Sequence, residues 1–162
     1  MKLNEKLQSS ILINDIDQAK YFIREIKEGF IQINLYTILN MAILHSTPEI
    51  INLLMKEFNF EITEHILMKT LININTGSEE AFENYKTFIK TALFNMSNYI
   101  IEEEIVSFIV KKSKNRVEIM YKEEFLNVIN EKYFQNKVSI ELKNELKENI
   151  NKEKLEFNVS DF

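Results

Sequence analysis

The chain has no cysteine, one proline and two glycines in 162 residues. Without cysteine there is no disulfide, no thiolate nucleophile and no thiolate-bound metal. An all-β sandwich or barrel needs many tight turns, and tight turns draw on glycine and proline. Their scarcity predicts helices joined by short connections, with asparagine taking over turn and capping work. Histidine and arginine are nearly as rare, limited to His45, His65, Arg24 and Arg116. No apolar run approaches the roughly 20 residues of a membrane span. The opening MKLNEKLQSS lacks the apolar core and small-residue cleavage site of a signal peptide. A cytoplasmic location and no membrane partner are the expectation.

Hydrophobic residues make up 45% of the chain, which is a globular composition. Twenty basic residues stand against 25 acidic ones, for a net charge of −5. Phosphate contacts need a positive field, so direct nucleic-acid binding is disfavoured.

Apolar residues recur at helical spacing in successive stripes. Leu3, Leu7 and Ile11 form the first, with Ser10 on the same side. Asn14 and Asp15 break it, and Ala19, Phe22, Ile23 and Ile26 form the second. Gly29 then suits a C-terminal stop that wants positive φ. Leu39, Ala42 and Ile43 form the third stripe, and Ile51, Leu54, Met55 and Phe58 the fourth. Between them Thr47 is a good N-cap, and Pro48 fits the first helical position. Thr63 is the expected cap of a helix through Met68, Leu71 and Ile72. Thr76 and Glu79 are spaced as a capping box ahead of Tyr85, Phe88, Ile89 and Ala92. Ile101, Ile105, Phe108 and Ile109 follow, in a helix opened by Glu102–Glu104, whose charge suits a helix N-terminus. Val117, Met120 and Tyr121 begin a helix that runs on through Phe125, Val128 and Ile129. Val138, Leu142, Leu146 and Ile150 line one last charged helix, and EFNVSDF reads as a frayed end.

These stripes repeat. At a shift of 32, Leu7, Ser10 and Ile11 fall on Leu39, Ala42 and Ile43. At the same shift, Ala19, Phe22, Ile23 and Ile26 fall on Ile51, Leu54, Met55 and Phe58. The next step is 34, from Ile51 to Tyr85, and the last is 32, from Tyr85 to Val117. A recurring helix pair of this length is the signature of stacked hairpins.

Thr37, Leu39 and Ala42, then Glu49, Ile50, Ile51, Leu53, Leu54 and Met55, occupy places in the pattern T-P-L-H-x-A … E-V-V-x-L-L-L. Best over residues 14–62, and more weakly to about 130, the chain resembles an ankyrin-repeat protein, whose period is roughly 33. Ile38, Asn40, Ser46 and Phe58 stand where that family has its Pro, His, inter-helix Gly and finger-launching Gly. A stack of helical hairpins without ankyrin geometry accounts for the same stripes. The resemblance implies an all-α, single-domain α-solenoid over 1–162. It would have about four helix pairs to 130 and a C-terminal capping helix over 131–155. It also implies a non-enzymatic scaffold that binds another protein, and it carries over no catalytic residue. The alternative, from acidic balance and small size, is a small acidic inhibitor or immunity protein. Such a protein, of anti-defence or antitoxin type, would block a basic enzyme surface.

Candidate chemistry is sparse. Gly29 and Gly77 stand alone, so no phosphate-cradling loop exists. His45 and Glu49 are four apart, but the Thr47–Pro48 break puts them on different helices; His65 beside Glu64 falls short of a ligand set. No metal, cofactor or catalytic residue is expected. Tyr21, Tyr36 and Phe60 lie outside the stripes and are candidate partner-binding anchors. Lys111, Lys112, Lys114 and Arg116 make a basic cluster suited to an acidic partner, or to a solvated helix end. The Val138–Leu142–Leu146–Ile150 stripe either caps the stack or pairs two copies into a homodimer.

Overall fold

The computed structural model describes residues 1–58, 66–72, 74 and 77–160. Among these residues there are nine α-helices and no strand. In chain order they are α1 Leu3–Leu12, α2 Ile16–Glu28, α3 Leu35–His45, α4 Pro48–Glu57, α5 Ile66–Ile72, α6 Glu79–Asn95, α7 Asn98–Val110, α8 Arg116–Ile129 and α9 Ile140–Ser160. A 3-10 turn, Gln135–Lys137, precedes α9. The backbone forms two compact units, Met1–Phe60 with Ser78–Phe88, and Glu61–Gly77 with Ile89–Phe162.

Short polar side chains start most of these helices, because their oxygens satisfy N–H groups the helix cannot. Asp15 accepts from the Gln18 N–H, Asn34 from Thr37, Thr47 from Ile50, Ser97 from Ile100 and Asn115 from Glu118. Ser78 accepts from Ala81, and Ser139 from Leu142. Ser78 thus does for α6 what was expected of Thr76. Thr76 and Thr63 lie outside the described residues. Thr37 sits inside α3, one turn past its cap.

In the first unit α1 packs on α2 and α3, α3 on α4, and α2 on α4. Leu7, Ser10, Ile11, Leu39, Ala42 and Ile43 are all buried, as the 32-residue shift requires. The caps Asp15 and Thr47 keep that same offset. Asn14 and Ser46 keep it too, and the Ser46 hydroxyl donates to Asn14 Oδ1 at 2.8 Å. Buried Asn84 on α6 donates to the Ile43 and Ser46 carbonyls at 3.0 and 2.9 Å, satisfying the end of α3. Phe22, Met55 and Phe58, expected in the stripes, are half-buried.

Gly29 is not the left-handed residue. It caps α2 at φ −85°, and Phe30 takes φ +50° one place later. The Phe30 N–H reaches the Lys27 carbonyl and the Ile31 N–H reaches Ile26, closing a Schellman turn. Asn14, at φ +58°, does the same after α1, with Asp15 reaching Ser10.

In the second unit α5 packs on α7 and α8, and α9 on α7 and α8. The rings of Phe108 and Phe125 stand 4.5 Å apart. The α8 register differs from the expected one: Val117 is half-buried and Met120 exposed. Asn115 follows Ser78 by 37 residues, not 32. At 37, buried Ala81, Asn84, Tyr85, Phe88, Ile89 and Ala92 fall on buried Glu118, Tyr121, Lys122, Phe125, Leu126 and Ile129. Helix α7 and the link after it are together five residues longer than α3 and its link, and only the cap and burial reveal it. Val138 lies ahead of α9 rather than in it, and α9 runs to Ser160, past the expected end at 155. Val138, Leu146 and Ile150 are buried within the chain, and Leu142 is half-buried.

Candidate docking surface on helix α7

Helix α7 has the sequence NYIIEEEIVSFIV, capped by Ser97. Its inner face buries Ile101, Glu104, Ile105 and Phe108. The three glutamates lie in its second turn, not at its opening, so the helix N-terminus does not account for them. Consecutive residues diverge by about 100°. Accordingly Glu102 is half-buried, Glu103 exposed and Glu104 fully buried.

Glu104 anchors the inner face. Its two carboxylate oxygens accept the Leu67 and Met68 N–H groups, each at 3.2 Å, at the start of α5. Burial pushes its pKa up to about 7, against the pull of those two bonds and of Lys69, while Glu103 adds to the rise. A second buried charge stands nearby in sequence. Lys122 Nζ donates to the Lys111 carbonyl at 2.8 Å and to Glu153 Oε1 at 3.0 Å. Burial also pushes up the neighbouring Tyr121 phenol.

The outer face of α7 is also apolar. Tyr99, Val106 and Val110 are 69%, 48% and 72% exposed. With Glu103 they fall at i, i+4, i+7 and i+11, one side of a helix. A hollow of about 390 Å³ lies among Tyr99, Glu102, Glu103, Val106 and Ser107. Tyr99 hydrogen-bonds Glu103, and that bond and charge hold the phenol above its ordinary pKa. A helix apolar on all sides belongs in an interior; α7 has one side in the core and the other in water.

The expected site residues are distributed unevenly. Tyr21 is exposed and meets Phe22 edge-on at 5.3 Å, under the Lys6 ammonium's reach over Phe22. Tyr36 is half-buried on α3. Phe60, like His65, lies outside the described residues. Lys111, Lys112, Lys114 and Arg116 do share one link, from the end of α7 to the first residue of α8. Two of them work through backbone: the Lys111 carbonyl holds Lys122, and the Lys114 N–H donates to Glu118 Oε2 at 2.9 Å. Lys112 Nζ stands 4.0 Å from Glu156.

Other aromatics are exposed elsewhere on the chain. Phe30 is open to solvent, and Phe94 and Tyr133 form a ring cluster with buried Phe134, at 4.9 to 5.5 Å. Phe94 and Tyr99 fall outside the 85–88–89–92 and 101–105–108 stripes, so the rule that selected Tyr21 selects them too. In the first unit a groove of about 370 Å³ is lined by Lys20, Arg24, Lys27, Lys56 and Glu57, with Ile23 and Leu53 among its walls. Lys27 pairs with Glu57 across it at 3.3 Å. His45 ends α3 and Glu49 lies in α4, and among the described residues no group of three His, Asp or Glu could hold a metal. No described helix is long and apolar enough to cross a membrane. Comparison of the chain with protein-family models, with curated proteins and with solved structures returns no match.

Proposed function

We propose that this chain is a non-enzymatic protein-binding module, built as an ankyrin-like stack of helical hairpins, that docks another protein on the outer face of α7. One observation carries the docking surface: Tyr99, Val106 and Val110 keep an apolar stripe in water beside two carboxylates. Large exposed apolar side chains grouped on one face are what partner proteins cover. The stacking reading draws on the first unit. There α1 packs on α3 and α2 on α4, and the equivalent residues Asn14 and Ser46 bond to each other. The test is capture on immobilised protein, with mass spectrometry of what is retained. A protein partner held by the wild type and lost from Tyr99→Ser/Val106→Ser, at unchanged thermal stability, supports the reading. Equal capture by both would remove the face from consideration.

A second reading, an acidic inhibitor of a basic enzyme surface, draws on a different hollow of about 330 Å³. It is lined by Glu79, Glu80 and Glu83 with Ser46, Thr47 and Pro48. Binding there would weaken steeply with salt, because exposed charges are screened within about 8 Å at physiological ionic strength. Binding on the α7 stripe would weaken far less.

A further inference from the structure

Resting on the reading of α7 as an interface, we propose that the occupant of its outer face is a second copy of this chain, packed helix to helix and antiparallel. The face is ordered by charge along its length. Glu102 and Glu103 lie in its first half, and Lys111 and Lys112 follow Val110 at its end. Turning one helix end for end sets acid against base at both ends at once. The apolar groups obey the same symmetry. The hollow beside Tyr99 and Val106 centres near Glu103, and Val110 is the exposed apolar side chain near the opposite end of the helix.

Seating the other copy's Val110 in that hollow fixes the register. It puts Val106 close to the two-fold axis and sets the other copy's Lys111 against Glu102 and Glu103; Lys112, one place further on, stands 4.0 Å from Glu156 of its own chain. A two-fold contact must be self-complementary, each copy giving what it receives, and this face meets that condition. Antiparallel helices also oppose their macrodipoles. The 13 residues of α7 span about 20 Å. A pair of such helices buries less than the roughly 1,200 Å² of a standard interface, so the dimer should be weak, with a micromolar Kd.

Sedimentation equilibrium of the full chain tests this. The wild type is expected to show a monomer–dimer equilibrium. Glu102→Lys/Glu103→Lys and Lys111→Glu/Lys112→Glu each bring like charges together, and each should weaken the dimer about tenfold or more. Mixed in equal amounts, the two variants should form a heterodimer within about threefold of wild-type affinity. Val106→Arg, at the axis, gives an independent loss by a single change, with circular dichroism as the check on folding. A wild type that stays monomeric up to about 1 mM, or a dimer indifferent to all three variants, overturns the proposal. A monomeric wild type that captures a different protein, lost from Tyr99→Ser/Val106→Ser, overturns the second copy and leaves the docking reading standing. A monomer that captures nothing overturns both.

Discussion

A carboxylate with no solvent exposure, held by two backbone N–H groups, loses hydration that those bonds only partly replace. Glu104 is in that position, with its pKa pushed up to about 7 by burial. Between its ordinary 4.5 and about 7, the folded chain keeps a proton that the unfolded chain has released. Stability from this group is therefore present at low pH and lost as pH rises through that window, at up to about 1.4 kcal/mol per unit. Urea unfolding across pH 5 to about 7.5 should show this slope, and Glu104→Gln should flatten it. An unchanged slope would mean another group titrates. Lys122 and Glu153 make a buried ion pair, 1% and 6% exposed. Lys122→Met alone strands a charge and should cost about 3–5 kcal/mol, while adding Glu153→Leu should recover most of it. A single variant as stable as the wild type would refute the pair's mutual dependence. These charges were only half legible. Glu104 sits between Ile101 and Phe108 at helical spacing, and Glu153 continues Leu146 and Ile150, so their place on apolar faces could be read. What shields each lies on another helix, and local periodicity carries no word of it.

Helix boundaries were largely written in short polar side chains. Asp15, Thr47 and Pro48 mark their termini, and Asn34 and Asn115 bear out asparagine's role as cap. The C-terminal turns were less legible, because several residues can follow a helix and only geometry selects the left-handed one. Phe30 takes that conformation with its ring almost wholly in water. A left-handed φ costs an L-residue with a Cβ roughly 1–2 kcal/mol. Phe30→Gly should therefore raise stability by about 0.5–1 kcal/mol, net of glycine's greater freedom when unfolded. Thermal unfolding reads this directly, and a fall in Tm would place the Phe30 ring in a contact that stabilises the turn. The α8 register escaped the periodic reading for another reason. Val117, Met120 and Tyr121 fit an apolar stripe by spacing, but so does the set from Glu118 to Ile129 once charged residues are allowed inside.

Across the molecule, the all-helical class followed from the shortage of glycine and proline together with the stripes. The division into two compact units was only partly legible: one of its boundaries falls at Gly77–Ser78, a turn-like pair, but another falls inside α6, between Phe88 and Ile89, where no linker signal exists. Leu54 is fully buried in the first unit. Leu54→Asp should abolish the cooperative transition, because an unpaired charge there has no compensation. Phe22→Asp should do less, as Phe22 is half-buried. Far-ultraviolet circular dichroism on heating distinguishes the two, and equal tolerance of both would deny Leu54 its place in the core. The exposed apolar face of α7 was partly legible as well. Tyr99 stood outside its stripe, but Val106 and Val110 drew no attention, because an apolar residue on an apolar helix gives no sign of which side it faces.

The isolation of Lys122 has a use in chemical labelling. The sequence holds eighteen lysines, and among the described residues Lys122 alone is buried. Its amine donates to a carbonyl and a carboxylate, so an acylating reagent reaches it only when α8 and α9 part. The other lysines mark the reagent's own speed. The lag of this one position, read by peptide mass, is then a clock for opening of the second unit, built into the native chain without a probe.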